Sequence, residues 1–150
     1  MELKRIESNG LSLQIGPWDL LKSFAIPVRS IVFIEEQNVP EELELDELDN
    51  DCIHIVAFND HEQPVATARL TPDGHIGRMA VLKEYRGKGV GAMVLNFISD
   101  AAKDAGYKKV YLAAQLQAIG FYEKSGFELV ENAEIFYDAN IPHKMMCKLI

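Results

Sequence analysis

The sequence predicts a one-domain α/β protein, built from a mixed sheet with helices on its faces. Its 150 residues match the commonest domain size and leave little room for a second domain. Strand-like stretches come first and follow one another across short polar turns, which favours antiparallel pairing. Strand and helix patterns then alternate toward the C-terminus, and such strand–helix–strand units favour parallel pairing.

The composition argues against several classes of function. Apolar residues are 48% and charged residues 25% of the chain, as in ordinary globular domains. The balance of 23 acidic against 15 basic residues gives a formal charge of −8, which disfavours nonspecific nucleic-acid binding. The longest apolar run, residues 110–114, is too short to span a membrane, and residues 1–7 lack a secretory signal core. We therefore expect a cytoplasmic protein with no nucleic-acid or membrane partner.

The two cysteines, Cys52 and Cys147, are too few for a disulfide framework and lack zinc-ligand spacing, so we expect no metal. Cys52 and His54 alternate along one predicted strand and could be interpreted as a nucleophile pair. We favour the alternative, a histidine in the core or at a sheet edge whose hydrogen bonds are satisfied.

The N-terminal third contains a strand, a helical region and an acidic segment. Apolar and polar residues alternate over residues 11–15, which predicts a strand. Apolar residues then recur at helical spacing over residues 21–32. Pro27 lies inside that stretch and predicts two short helices or a kink. Residues 41–51 hold seven acids and no base. We interpret this run as a solvated loop, with attraction of a cationic acceptor such as a polyamine as the alternative.

The central part predicts three strands and the longest helix. Residues 52–58 and 65–70 form a hairpin, and residues 75–81 form the next strand. A helix then begins near Val90 and is capped by Gly106. Further elements are expected at residues 108–114 (strand), 118–124 (helix), 127–130 (strand) and 144–150 (strand). The apolar stripe of the long helix is predicted to consist of Val90, Val94, Phe97, Ile98, Ala101 and Ala105.

The turn between the strand at residues 75–81 and the long helix indicates an anion site. Gly87, Gly89 and Gly91 alternate there, and glycine permits positive φ and close approach of a ligand to the backbone. The first amides of a helix have no internal partner and lie at the positive end of its dipole, where phosphates bind. Residues 78–88 carry a net charge of +3 in a chain of −8. The alternative is a tight turn that has no ligand.

Two nucleotide-binding motifs fit this turn poorly. Residues 87–92 satisfy the dinucleotide pattern G-x-G-x-x-A, but that pattern expects an acid at the end of the next strand. That strand ends in Ala113, Ala114 and Gln115. The phosphate-loop pattern also fails, because no Gly-Lys-Ser/Thr occurs. A nicotinamide-dependent oxidoreductase is therefore a weak interpretation.

Arg86, Gly89 and Gly91 match the pattern Arg/Gln-x-x-Gly-x-Gly/Ala, between a strand and a long helix. The chain thereby resembles the GNAT superfamily of N-acetyltransferases, in which this pattern is the acyl-CoA signature. A second family element is Asn-x-x-Ala-x-x-x-Tyr, and Gln115 stands here at the place of the usual Asn, with Tyr122 at its end.

The two ends of the chain extend the resemblance. Residues 32–37 and 142–146 resemble signatures of the small YjcF-like and ElaA-like branch of this superfamily. The resemblance implies the GNAT acyl-CoA N-acyltransferase fold, a central mixed and mostly antiparallel sheet flanked by helices. It also implies acetyl-CoA as co-substrate, with its pyrophosphate on the turn and its pantetheine arm along the preceding strand. The cofactor-binding residues so implied are Met79, Ala80, Val81, Arg86, Gly87, Lys88, Gly89, Val90, Gly91, Ala92 and Gln115.

The resemblance further implies direct transfer of the acetyl group to a primary amine. Tyr122 is the candidate general acid for the departing thiolate, with a purely packed tyrosine as the alternative. His143, Glu35 and Glu36 are the candidates for the general base or for contact with the acceptor. A non-catalytic acyl-CoA-binding module of the same fold is the rival to an enzyme. Edge strands also make a homodimer compatible with this fold.

Overall fold

The computed structural model describes residues 2–150, which form a nine-stranded mixed sheet flanked by helices. This confirms the predicted fold class. The strand order is β1-β2-β3-β4-β5-β6-β9-β7, with β8 paired to β9, and the β5–β6 pair is parallel whereas the other pairs are antiparallel. The strands are β1 (Lys4–Ser8), β2 (Leu11–Pro17), β3 (Ile53–Phe58), β4 (Pro64–Leu70), β5 (His75–Val81), β6 (Lys109–Gln115), β7 (Glu128–Leu129), β8 (Phe136–Asp138) and β9 (Ile141–Leu149). The sequence patterns had indicated neither β1 nor β8.

The helices lie close to the stretches that the sequence predicts as helical. They are α1 (Trp18–Arg29), α2 (Glu41–Glu44), α3 (Val90–Asp104) and α4 (Ile119–Lys124), with 3₁₀ turns at Glu47–Asp51, Lys83–Tyr85 and Leu116–Ala118. Of the two expectations for Pro27, a pair of short helices is wrong. The helix continues through Pro27 and widens into a π-helical segment at Ser30–Glu36. Ala25 and Val28 are fully buried on either side of Pro27, so packing holds the helix across the missing hydrogen bond.

Helix α3 packs on the sheet with a face that differs slightly from the predicted stripe. Val90, Val94 and Ile98 are buried as expected, but Ala105 is exposed. Ser99, which is not part of the predicted stripe, is buried, and its hydroxyl is satisfied by donating to the Leu95 carbonyl at 2.8 Å. Gly106 follows the helix with φ of +96°, which confirms it as the C-terminal cap.

The acidic run at residues 41–51 is not simply a solvated loop. Glu44 and Asp49 are 2% and 1% exposed, because arginines from other elements neutralise them. Arg29 of α1 donates to Glu44 and Asp49, and Arg69 of β4 donates to Asp49. A balanced group of three arginines and three carboxylates results, and it fixes this segment against the sheet. The members of this ion-pair cluster are Arg29, Arg69, Arg78, Glu44, Asp46 and Asp49.

Candidate active site

The sheet opens in its middle, between β5 and β6. These two parallel strands pair at His75 with Tyr111 and at Ile76 with Leu112, and beyond those pairs they diverge. The following residues of β5, 77–81, therefore present one backbone edge to a gap in the sheet. A second chain or an extended ligand can pair with such an edge.

A bulge in β5 lies at the start of this gap. Thr67 of β4 pairs with Ala80, and Arg69 pairs with Gly77, so two residues of β5 stand opposite one of β4. The extra residue is Arg78, whose φ is +48°. A left-handed conformation is costly for a residue with a β-carbon, and such strain concentrates at functional sites.

A cavity of about 880 Å³ fills the gap and extends to the glycine-rich turn. Its wall includes Met79, Ala80 and Val81 on one strand and Gln115 on the next, all four of them predicted site residues. The π-helical segment and α2 border it on one side, and the hairpin that joins β8 to β9 borders it on another. The cavity thus connects the open strand edge with the predicted anion site.

The glycine-rich turn leads directly into α3. Gly87 and Gly89 have φ of +75° and +80°, and Gly89 is the residue before the first helical position. A β-carbon added to Gly91 would lie 3.2 Å from Cζ of Phe121, so glycine there allows α4 to pack closely. Five residues of the turn reach the cavity wall, namely Arg86, Gly87, Gly89, Gly91 and Ala92.

Two predicted residues of this turn point elsewhere. The Val90 side chain is 4% exposed and belongs to the core, so its backbone alone is available to a ligand. The Lys88 ammonium lies 5.7 Å from the centre of the Tyr85 ring, and its residue is exposed. Neither residue is among those that line the cavity in the part of the chain described.

Arg86 already holds two partners within the protein. Its Nε donates to the Val81 carbonyl at 2.9 Å, and its Nη2 donates to Oε1 of Glu36 at 2.5 Å. Glu36 therefore reaches the cavity wall beside the turn. Its neighbour Glu35 is exposed and lies outside the lining found within residues 2–150.

Tyr122, the candidate general acid, belongs to a packed group of aromatic rings. Its ring packs against Phe121 and Phe127, with ring centres 5.1 and 6.2 Å away. The same residue lines the cavity. Burial raises the pKa of the Tyr122 phenol to about 12, so the hydroxyl keeps its proton at neutral pH.

His143 lies in the cavity wall with a defined tautomer. Its Nδ1 is 2.6 Å from the carbonyl oxygen of Ile141, and its ring stacks on Phe136 at 5.8 Å between centres. Because a carbonyl only accepts, Nδ1 carries the hydrogen and the lone pair of neutral His143 resides on Nε2. The residue is 8% exposed. This geometry leaves Nε2 as the basic atom.

The alternative nucleophile pair at Cys52 and His54 has a structural explanation. His54 is fully buried, and its Nε2 lies 2.9 Å from the Asp49 carbonyl. Burial lowers the pKa of His54 and raises that of the Cys52 thiol to about 11, so both groups stay neutral. His54 is therefore a core histidine, as expected, but only its Nε2 is satisfied, because its Nδ1 is buried without a hydrogen-bond partner in the described residues.

The sequence matches the family model described as "Acetyltransferase (GNAT) family" over residues 19–127. The chain belongs to this family. It is 44% identical over 127 residues to the uncharacterized N-acetyltransferase YjcF of Bacillus subtilis (strain 168), a match that covers 83% of this chain and 89% of that protein. The GNAT resemblance inferred from the glycine turn is therefore confirmed, and the family assigns the chain to the acyltransferases.

Two crystal structures show the same fold as this GNAT protein. An acyl-CoA N-acyltransferase from Pseudomonas aeruginosa superposes with a TM-score of 0.80 at 29% identity, covering 92% of this chain and 99% of that chain. Escherichia coli ElaA superposes with a TM-score of 0.78 at 27% identity and the same two coverages. These structures confirm the GNAT fold and the likeness to the ElaA branch.

Gln115, which stands where the GNAT pattern usually has Asn, belongs to a network of side-chain amides. The Gln115 side chain donates to Gln37 at 3.2 Å and accepts from Gln117 at 2.6 Å. Gln115 also pairs across the sheet with His143. Gln117 was not among the predicted residues, and Gln37 was noted only as the end of the signature at residues 32–37. No local pattern indicates the contact between Gln37 and Gln115, because 78 positions of chain separate them.

Two further features concern the chain as a whole. Of the helices in residues 2–150, none combines the length and apolar character that a membrane crossing requires. Over the same residues, His, Cys, Asp and Glu side chains form no group of three or more that could hold a metal ion.

Proposed function

We propose that this protein transfers an acetyl group from acetyl-CoA to the primary amine of a small acceptor, directly within a ternary complex. One observation carries the proposal. A single cavity joins the open edge of β5, the glycine-rich turn, Tyr122 and His143. Binding both reactants in one cavity replaces a chance encounter by a high effective molarity, which is a large part of the rate gain.

The cavity fits acetyl-CoA at two places. At the turn, Gly87 and Gly89 leave open space where side chains would otherwise stand, with nothing within 4 Å of an added β-carbon. The amides that begin α3 are thus accessible to a pyrophosphate. Along β5, alternate residues of the stretch 79–81 turn their N–H and C=O groups to the open edge, where the amides of the pantetheine arm can pair with them. The Val81 carbonyl also accepts from Arg86. The name of the Pseudomonas aeruginosa relative, an acyl-CoA N-acyltransferase, supports this choice of co-substrate.

His143 is the general base in this proposal. Its Nε2 takes a proton from the acceptor's ammonium group, so that the free amine can attack the thioester carbonyl carbon. The Ile141 carbonyl stabilises the imidazolium that forms, because it accepts from Nδ1–H. Glu36 is less suited to this task, since its carboxylate is engaged by Arg86. Glu35 lies on the exposed side of the same segment.

Tyr122 is the general acid. The attack forms a C–N bond and a tetrahedral oxyanion, which a backbone N–H of the bulged strand β5 can stabilise. Collapse of that intermediate breaks the C–S bond, and the Tyr122 hydroxyl gives its proton to the sulfur. The attacking nitrogen loses its extra proton to the Tyr122 phenolate or to water, so that a neutral amide and a neutral thiol leave the site. General acid–base steps of this kind typically contribute about 10²–10⁴-fold in rate. The raised pKa of Tyr122 ensures that its proton is present when the thiolate departs.

The test is a thiol-release screen with acetyl-CoA, corrected for hydrolysis, across amino acids, polyamines, aminoglycosides and peptide N-termini. We expect turnover with at least one amine and a higher melting temperature with acetyl-CoA. Stabilisation by acetyl-CoA without transfer to any amine would favour the non-catalytic binding module. Stabilisation by NAD(P) and not by acetyl-CoA would reject both and support an oxidoreductase.

A further inference from the structure

Arg78 occupies an unusual position in the site. It is the extra residue of the β5 bulge, and its φ of +48° places it in the left-handed region. The sheet opens directly beside it, since pairing of β5 with β6 ends at Ile76. The left-handed backbone conformation is unfavourable for arginine, whereas glycine and asparagine adopt it readily. The side chain must therefore compensate for the conformation of the main chain.

The Arg78 guanidinium reaches out of the strand to the segment around α2. Its Nε donates to the Glu44 carbonyl at 3.0 Å, and its Nη2 donates to the Leu43 carbonyl at 3.0 Å. The same Nη2 donates to the Asp46 carboxylate at 3.2 Å. Three acceptors thus come from four consecutive residues. Bonds to a charged donor are stronger than neutral ones, and a planar guanidinium fixes direction as well as distance.

The segment that Arg78 holds is itself anchored in the protein interior. Arg29 donates to the Glu44 carboxylate at 2.5 Å and to the Glu44 carbonyl at 2.9 Å. Arg69, on the neighbouring strand β4, binds Asp46 through both terminal nitrogens, at 2.7 and 2.9 Å. Residues 43–46 therefore form a fixed support outside the sheet, and Arg78 ties the bulge to that support.

Both ends of this link line the cavity. Leu43 and Glu44 contribute to the wall on the side of α2, and Gly77, Arg78 and Met79 contribute to the wall formed by β5. We propose that Arg78 is a positioning residue for acetyl transfer: its guanidinium holds the bulged backbone of β5 in the geometry that receives the thioester. This inference rests on the proposed function, and it adds a residue that binds no substrate itself.

The experiment separates the backbone from the guanidinium. Arg78→Gly removes the side chain and relieves the left-handed strain, whereas Arg78→Ala removes the side chain and keeps the strain. Arg5→Ala is the control, because Arg5 is an exposed arginine of the edge strand β1. Amide hydrogen exchange of the free proteins is compared at residues 43–46 and 77–81, and acetyl-CoA affinity is measured by calorimetry.

We expect faster exchange at both segments in Arg78→Gly and Arg78→Ala, and acetyl-CoA binding weaker by about fivefold or more, the usual size of a coupling between two sites. Exchange at residues 77–81 and affinity equal to the parent in Arg78→Gly would overturn the proposal, because backbone conformation alone would then suffice. If the parent fails to bind acetyl-CoA, the proposed function falls, and exchange at residues 77–81 still decides the role of Arg78.

A third variant tests the proposal if Arg78→Gly and Arg78→Ala do not fold. Arg78→Lys keeps a positive charge in the cluster but lacks the planar fork that reaches three acceptors. If urea unfolding shows that the Gly and Ala variants are unfolded, this variant is used in the same measurements. Faster exchange at residues 77–81 than in the parent supports the proposal, and identical exchange contradicts it.

Discussion

Arg86 and Glu36 form an ion pair beside the glycine-rich turn, with 2.5 Å between Nη2 and Oε1. Their side chains are 43% and 32% exposed, so water weakens the pair without abolishing it. In the proposed complex, the guanidinium of Arg86 lies beside the anionic pyrophosphate of acetyl-CoA. The Glu36 carboxylate and the phosphate oxygens then require the same donors. Cofactor binding must break or share this ion pair.

Glu36→Gln should therefore tighten acetyl-CoA binding. A partly exposed ion pair is worth about 0.2–1 kcal/mol, so removal of the competing charge predicts a gain in affinity of roughly 1.5- to 5-fold. The gain should shrink as salt is added, because salt screens exposed charges. Calorimetry at low and high ionic strength measures both effects.

Glu35→Gln supplies the matched control for the Glu36 variant. It removes the same charge from the adjacent residue, which is exposed and outside the cavity lining of the described chain. Its affinity should change by less than that of Glu36→Gln. Weaker binding in Glu36→Gln would reverse the interpretation, since Glu36 would then orient Arg86 for the phosphates.

Tyr122→Phe should lower kcat by about 100-fold or more, while the melting temperature stays close to that of the parent. The phenyl ring retains the contacts with Phe121 and Phe127, and only the hydroxyl is lost. Thiol release measures kcat, and calorimetry of acetyl-CoA binding shows whether the cavity is intact. Unchanged kcat would leave Tyr122 with its packing role alone.

The pKa of Tyr122 fixes the pH dependence of this step. A general acid works in its protonated form, and a pKa raised to about 12 keeps the phenol protonated throughout the neutral and mildly alkaline range. The rate of the parent should therefore show no alkaline decline from Tyr122 between about pH 8 and 10. A decline in that range that disappears in Tyr122→Phe would show that burial does not hold the proton.

His143→Gln should lower kcat by about 100-fold or more and leave acetyl-CoA affinity within about twofold. Glutamine keeps a hydrogen-bond donor near the Ile141 carbonyl but offers no basic nitrogen to the acceptor. Phe136→Leu is the control, because it removes the stacked ring and retains the imidazole. Equal losses of kcat in the two variants would indicate that His143 shapes the hairpin without acting as a base.

Local patterns in the sequence predicted the strand, the glycine-rich turn and the helix that form one part of the cavity wall. The strand His75–Val81, the glycine turn and the start of α3 at Val90 follow one another within 30 residues of chain, so their geometry is encoded locally. Turn glycines, helix caps and apolar periodicity act over such distances. The family signature lies in this same stretch.

The remaining features depend on contacts between distant segments. Glu36 binds Arg86, which lies 50 positions further along the chain, and Gln37 binds Gln115, which lies 78 positions further. No local pattern predicts either contact. The acidic run at residues 41–51 has the composition of a solvated loop. Its Glu44 is nevertheless buried, because Arg29 of α1 donates a hydrogen bond to its carboxylate and balances its charge. A charged side chain is buried only where an oppositely charged or hydrogen-bonding partner lies beside it, and the folded structure, not the local sequence, identifies that partner.

Arg29→Met should lower the free energy of unfolding by about 3–5 kcal/mol, the usual cost of breaking a buried ion pair by removing one member. Arg29 is 1% exposed and binds both Glu44 and Asp49, so its loss leaves two buried carboxylates short of donors. Lys22→Met is the control on the same helix. Lys22 makes an exposed contact with Asp19 at 3.9 Å, worth at most about 1 kcal/mol.

The pH dependence of this loss distinguishes lost charge pairing from lost packing. Burial acts to raise the pKa of Asp49, but the hydrogen bonds and charges of Arg29 and Arg69 together lower it. A carboxyl with a lowered pKa stabilises the folded state above its unfolded pKa of about 3.9, and that stability disappears as pH falls through the folded pKa. The difference in urea unfolding between Arg29→Met and the parent should therefore be largest at neutral pH and shrink toward pH 3. A difference that stays constant with pH would mean that Arg29 contributes by packing alone.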